Sequence, residues 1–251
     1  MRQLLHNMNP SLKFLAVTVS MIVLAFFFNP WTPLLFFLSV IALQLLFSRI
    51  NWKLWLLFML PFFFGAFGYF WTTLVFGADT GGPVLWSYGF IEITEQNWAH
   101  AWSLSLRVLA FSSLSLLFAL TTDPVRFIQS LMQQCKLSPK LAYSIMVSYQ
   151  FLPVLKTELE QIQQAQRLRG AEIDKHWWHR LAALRRLLIP VLAGAVRKAE
   201  RAAFAMEARG FTGEPRSSFY EQLSITRADY VLIGTFALVL TLCCSVGVII
   251  F

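Results

Sequence analysis

The chain has 251 residues, 57% hydrophobic and 14% charged, with a net charge of +8 and a mean hydropathy of +0.59. A soluble domain carries roughly 25% charged residues, so the composition excludes an ordinary soluble globule and points to a bilayer. The positive balance does not indicate nucleic acid, because the cations fall between apolar runs and no nucleic-acid-binding module is recognisable.

Five apolar segments approach the length of about 20 residues that a bilayer-crossing helix needs: Leu12–Phe28, Pro33–Phe47, Leu54–Phe76, Ala101–Leu120 and Val231–Phe251. No small-x-small site follows the first, so it reads as a retained span rather than a cleaved leader. "NPWTP" joins the first two as a turn, and Pro33–Phe47 is the shortest arm. The third holds Pro61, Gly65 and Gly68, which membrane helices accept where neighbours satisfy the backbone. Arg107 falls inside the fourth. A charge at that depth costs roughly 2.5–3.5 kcal/mol on insertion scales, so it is expected to anchor packing through a partner.

Cations set the orientation. Arg49 and Lys53 lie between spans two and three, whereas residues 77–100 hold Asp79, Glu92 and Glu95 with no Lys or Arg. Residues 121–229 hold sixteen of the twenty-one Lys and Arg. The expectation is a cell-membrane protein with a cytoplasmic N-terminus and an external C-terminus. Residues 1–121 form a region of about four spans, residues 122–229 a cytoplasmic helical region, and residues 230–251 a last span. Leu141–Leu155 is apolar but short and flanked by Lys136, Lys140, Lys156 and Arg167, so it reads as a helix at the inner membrane surface. The fold class is an all-α integral membrane protein.

Within residues 122–229, Asp123-Pro124 and Ser138-Pro139 are helix-start signals. Leu152, Leu155, Leu159, Ile162 and Ala165 form an apolar stripe on a helix expected over Val154–Arg169. A second helix is expected over Pro190–Arg209, with Ala195, Ala199 and Ala203 as a small-residue seam for another helix. Both helices end in Arg-Gly: Leu168-Arg169-Gly170 and Ala208-Arg209-Gly210. The plain reading is a terminator, with glycine in the left-handed conformation and arginine complementing the helix dipole. The pairing of the motif suggests more. A guanidinium fork on a rigid helix end suits carboxylates or carbonyls of a partner.

The series "NPSLKFL", "LRVLAFSSLSLLFALTTDP", "FLPVLKTELEQIQQAQRLRGAEI" and "LIPVLAGAVRKAERAAFAMEARGF" resembles the T component of energy-coupling factor (ECF) vitamin and metal importers, over nearly the whole chain. Ala208-Arg209-Gly210 matches that family's Ala-Arg-Gly triplet. Leu168 stands where the family often has alanine, and Gln150 where it often has arginine. The resemblance implies that two coupling helices dock on two ATP-binding cassette ATPase subunits and pass their motion to a substrate-binding S component. Leu168, Arg169, Gly170, Ala208, Arg209 and Gly210 would then be the ATPase-binding residues. "FFFNPWTPLLF" and "FGAFGYFWTTLVFG" resemble members linked to thiamine or its hydroxymethylpyrimidine precursor.

The sequence has no G-x-x-x-x-G-K-[ST] phosphate loop, so ATP is expected on partner subunits and no cofactor on this chain. "HWWH", His176 to His179, supplies two histidines and no completing ligands, which does not make a closed zinc site. Clustered acids or a paired nucleophile and base are missing from the spans, so the chain is not read as an enzyme. Two alternatives stay open at this stage: the permease of a conventional ABC importer, whose single coupling loop "AERAAFAMEARG" loosely imitates, and a membrane enzyme acting on lipids or prenyl chains.

Overall fold

The computed structural model describes residues 8–27, 29–47, 51–77, 84–88, 91–168, 177–214, 219 and 221–250. Its elements are α1 (Pro10–Phe26), α2 (Trp31–Phe47), α3 (Trp52–Phe76), β1 (Val84–Tyr88), β2 (Ile91–Thr94), α4 (Glu95–Thr121), α5 (Pro124–Gln134), α6 (Pro139–Leu168), α7 (Trp177–Ala208) and α8 (Arg227–Ile250). The protein is an all-α membrane protein carrying one two-stranded antiparallel hairpin, with Val84 opposite Thr94 and Tyr88 opposite Ile91. The hairpin falls in the acidic loop, where the sequence reading expected no regular element.

The chain forms two compact units, one of residues Met1–Ser130 with Leu223–Phe251 and one of Leu131–Gln222. The boundaries fall inside α5 and just ahead of α8. In the first unit, α1, α2, α4 and α8 share a core of Val17, Leu24, Phe36, Val40, Ala110, Leu114, Leu117, Phe236 and Cys243. On α2 Thr32, Phe36, Val40 and Gln44, spaced by four, are buried in one stripe, with Leu35, Phe37 and Leu43 packed beside it against the core. Three helices are long and apolar enough to cross a membrane: Trp52–Phe76, Glu95–Thr121 and Asp229–Gly247. Pro10–Phe26 and Trp31–Leu45 are shorter apolar helices. At 1.5 Å per residue α1 rises about 26 Å, a little under the roughly 30 Å hydrocarbon thickness.

α3 packs against α4 through Trp55, Met59, Ala66 and Leu74, while Leu56, Leu57, Phe63, Phe64, Phe67 and Trp71 are exposed. An apolar face of this kind is stable in lipid and not in water. α4 buries Ser103, Ser105, Ser112 and Ser113. Three of their hydroxyls donate within the helix, to the carbonyls of Trp102 (3.1 Å), Leu109 (2.9 Å) and Ala110 (2.9 Å). Small side chains that satisfy themselves let neighbouring helices approach closely. Near the other end of the bundle, a methyl group added at Gly247 would run into the buried Thr32 side chain, so glycine lets α8 and α2 approach closely there.

Expected helix starts are present at α5 and α6. The Asp123 carboxylate accepts from Val125 N (2.8 Å) and Arg126 N (3.1 Å), with Pro124 first in α5. α6 begins at Pro139. The expected boundaries at Val154 and Pro190 are too late, because α6 runs through Pro153 and α7 through Pro190. Pro153 lacks the N–H that would have bonded the Tyr149 carbonyl, but Tyr149 is exposed, so surroundings can satisfy it. Pro153's own carbonyl accepts from the Thr157 hydroxyl at 3.0 Å.

Between α5 and α6 the chain turns through Lys136 at φ 54, the positive-φ residue other than glycine among those described. The N–H of Leu137 then returns to the Leu131 carbonyl at 3.3 Å. A side chain in this region costs roughly 1–2 kcal/mol, which glycine avoids, less its greater freedom when unfolded. Lys136→Gly is therefore expected to raise stability by about 0.5–1 kcal/mol, read as a higher melting midpoint in detergent; a lower midpoint would show that the lysine side chain outweighs the strain.

Candidate functional site

α6 and α7 form an antiparallel pair in the second unit. Glu158 on α6 faces Gly194 on α7, where an added Cβ would lie 2.6 Å from the Glu158 carboxylate. The same carboxylate forms an ion pair with Lys198, one turn further along α7. On α6 the half-buried residues Leu155, Leu159 and Ile162 lie on the expected apolar stripe. On α7 Val191, Gly194, Lys198, Ala202 and Met206 form the covered face. The alanine seam runs beside that face: Ala195 is half-buried, while Ala199 and Ala203 are exposed.

The end of α7 is closed by its own backbone. Gly210 has φ +75. Its N–H donates to the Glu207 carbonyl at 2.9 Å, and the Phe211 N–H donates to the Met206 carbonyl at 3.0 Å. These two bonds are the Schellman closure that a left-handed C′ glycine permits. The chain then folds onto the start of α6. Phe211 meets Tyr143 edge-on with ring centroids 5.3 Å apart. Gly213, at φ +74, lies so close to Lys140 that a Cβ would sit 2.5 Å from the lysine Cγ.

The backbone thus accounts for the glycine, and the arginine is left over. Arg209 is exposed, and among the described residues its side chain has no hydrogen bond or ion pair. Ala208 beside it is also exposed. A cation on a closed helix end braced by an aromatic contact can approach a partner without first being ordered.

Of the first motif, Leu168 is the last residue of α6 and is 89% exposed. Arg169 and Gly170 lie outside the described residues, as does His176 of "HWWH". Because the helices are antiparallel, Leu168 and Arg209 lie at opposite ends of the pair. Arg209 lies beside the Tyr143 end of α6, 25 residues before Leu168, which corresponds to about 38 Å of helix.

The first unit holds a polar cluster that sequence reading missed. Lys13, 2% exposed, donates through Nζ to the Thr121 carbonyl (3.2 Å) and hydroxyl (2.9 Å) and to the Thr122 hydroxyl (3.4 Å). Asp229, also 2% exposed, accepts from Thr226 N and Oγ1 at 2.8 Å each and from Asn9 N at 3.1 Å. A cavity of about 70 Å³ lies among Lys13, Thr121, Arg126, Thr226 and Asp229, room for a few waters. The local signals were the Asn9-Pro10 start of α1 and the Thr226-x-x-Asp229 start of α8; nothing local says that the two meet. Arg107 behaves as expected of a packing anchor, its Nη2 donating to the Phe27 carbonyl at 2.5 Å. Among the described residues no cluster of His, Cys, Asp and Glu could hold a metal.

A family model described as CbiQ, cobalt transport protein, matches residues 1–220. The energy-coupling factor transporter transmembrane protein EcfT of Streptococcus thermophilus is 30% identical over 235 residues, covering 87% of this chain and 85% of that protein. The EcfT of Listeria innocua is 29% identical over 251 residues, covering 93% and 90%. That of Thermotoga maritima is 32% identical over 176 residues, covering 66% and 63%.

The two glycines near the end of α7 make a graded test of the closure. Gly210→Ala meets open space but keeps the strained φ, so it is expected to cost about 1–2 kcal/mol. Gly213→Ala adds a clash with Lys140 to the same strain and is expected to lower the melting midpoint further. A midpoint unchanged by Gly210→Ala would contradict the closure.

Proposed function

The chain belongs to the CbiQ family of transport proteins, and from that premise we propose that it is the transmembrane coupling subunit of an energy-coupling factor importer. The observation that carries this reading is Arg209: an exposed cation at a helix end already closed by backbone bonds, on a helix braced against a second helix that ends in the same motif. Arg169 and Arg209, with Leu168, Gly170, Ala208 and Gly210, dock on two ATP-binding cassette ATPase subunits. The length of about 38 Å of helix between Tyr143 and Leu168 suits one contact per subunit. The exposed alanines Ala199 and Ala203 leave a low surface beside the second contact.

ATP binds and is hydrolysed on those partner subunits, because this sequence has no phosphate loop of its own. The helix pair receives their closure, and the membrane unit passes the displacement to a substrate-binding S component in the bilayer. Cargo selection sits in that separate component. The cargo is a vitamin or a metal ion, and the aromatic segments "FFFNPWTPLLF" and "FGAFGYFWTTLVFG" are what favour thiamine or its hydroxymethylpyrimidine precursor. The excess of Lys and Arg in residues 121–229 supports a cytoplasmic N-terminus and an external C-terminus.

Charge reversal tests the docking. In complexes purified on a tagged chain, Arg169→Glu and Arg209→Glu are each expected to lower ATPase recovery, and the double reversal to lower it by at least roughly tenfold. Two distant contacts should act independently. Wild-type recovery in the double variant would remove the basis of the proposal.

A further inference from the structure

The ion pair between Glu158 and Lys198 joins the two helices of the second unit at matching positions. Glu158 stands ten residues before Leu168, the last residue of α6, and Lys198 ten residues before Ala208, the last residue of α7. The pair therefore lies midway between the two Arg-Gly ends, about 15 Å of helix from each. Burial also sets these two side chains apart. Their charged neighbours Lys156, Glu160, Arg197, Glu200 and Arg201 are exposed, whereas Glu158 and Lys198 are half-buried. Gly194 lies against the Glu158 carboxylate, which an added Cβ would meet at 2.6 Å. A position without a side chain, one turn before Lys198, thus gives the carboxylate its place.

The apolar contacts do not choose a register by themselves. Leu155, Leu159 and Ile162 on α6, and Ala202 and Met206 on α7, recur every three or four residues. A slide of one turn, about 5.4 Å, sets like against like. The charged pair behaves differently. One turn either way brings Gly194 or Ala202 to Glu158, and neither side chain offers it a partner. A charge-assisted bond is short and depends on angle, so a slide breaks it. Phe211 and Gly213 also meet α6, but past the end of α7 and at the Tyr143 side of the pair alone.

We propose that Glu158 and Lys198 are a positioning pair, whose bond holds α6 and α7 in one register and so sets the span between the Leu168 and Ala208 ends. This rests on the docking of both ends on ATPase subunits, and adds the residues that keep the two contacts in step. A slip of one turn changes the span by about 5.4 Å. A hydrogen bond made by a docked arginine holds only over a few tenths of an ångström. A slipped pair can seat one end, but it presents the other about one turn out of place. Half-burial suits the role, because such a pair is screened less than one on the open surface.

The test reads the span directly. Cys135, Cys243 and Cys244 are replaced by alanine, and spin labels are placed at the exposed positions Gln164 and Ala205, near the two ends and off the docking triplets. In the purified full chain, Glu158→Lys and Lys198→Glu are each expected to shift or broaden the label distance by about one helical turn, 5.4 Å. The double exchange restores the pair with its charges reversed and should return the original distance. Lys198→Met keeps the length and helix propensity of the side chain. It should also broaden the distance, and it keeps the proposal testable where a reversal fails to fold. In complexes purified on a tagged chain, each single reversal should lower the yield carrying both ATPase subunits by at least roughly tenfold, and the exchange should recover it. A purely structural role predicts lower melting midpoints with the label distance unmoved. That result, an exchange that does not restore the distance, or an altered distance with full recovery of both subunits overturns the positioning pair. An unaltered chain that retains no ATPase subunits overturns the docking instead, and the proposal with it.

Discussion

A helix that ends in a bilayer leaves backbone carbonyls which lipid cannot satisfy. This chain meets that constraint by sending a side chain from one span to the end of another. Arg107, midway along α4, donates to the carbonyl of Phe27 at the end of α1. Lys13, near the start of α1, donates to the carbonyl of Thr121 at the end of α4. The two antiparallel helices cap one another with cations, each charge sitting at the negative end of its neighbour's dipole. Asn29, in the turn before α2, closes the Gly247 carbonyl near the end of α8 in the same way. Most of the bundle contacts are apolar and could slide; these bonds fix its register.

The same logic governs the end of α7 with a different solution. There Gly210 lets the backbone close on itself, so no side chain is needed for the last carbonyls. Arg209 is relieved of a capping duty that Arg107 and Lys13 perform inside the membrane unit. The contrast separates the two meanings of an Arg-Gly end. The glycine is explained by the helix, and the arginine is available to something outside the chain. Just past this end Phe211 meets Tyr143 edge-on and Gly213 lies close against Lys140.

What was legible in the sequence follows from which interactions are local. The apolar helices were legible because hydropathy is a summed, local property; all five apolar segments are helical, and three of the helices are long and apolar enough to cross a membrane. The start of α5 was legible because Asp123 bonds amides two and three residues away. Pro153 and Pro190 misled because a proline's cost depends on whether the freed carbonyl finds other company, which its neighbours in sequence do not reveal. Of the candidate site, the Arg209 end was legible through glycine's left-handed preference. Its separation from the Leu168 end was not, because that depends on α6 and α7 being antiparallel. The burial of Lys13 against Thr121, 108 residues away, had no local mark. Asn9 escaped notice for the same reason, its partners lying 121 and 214 residues distant.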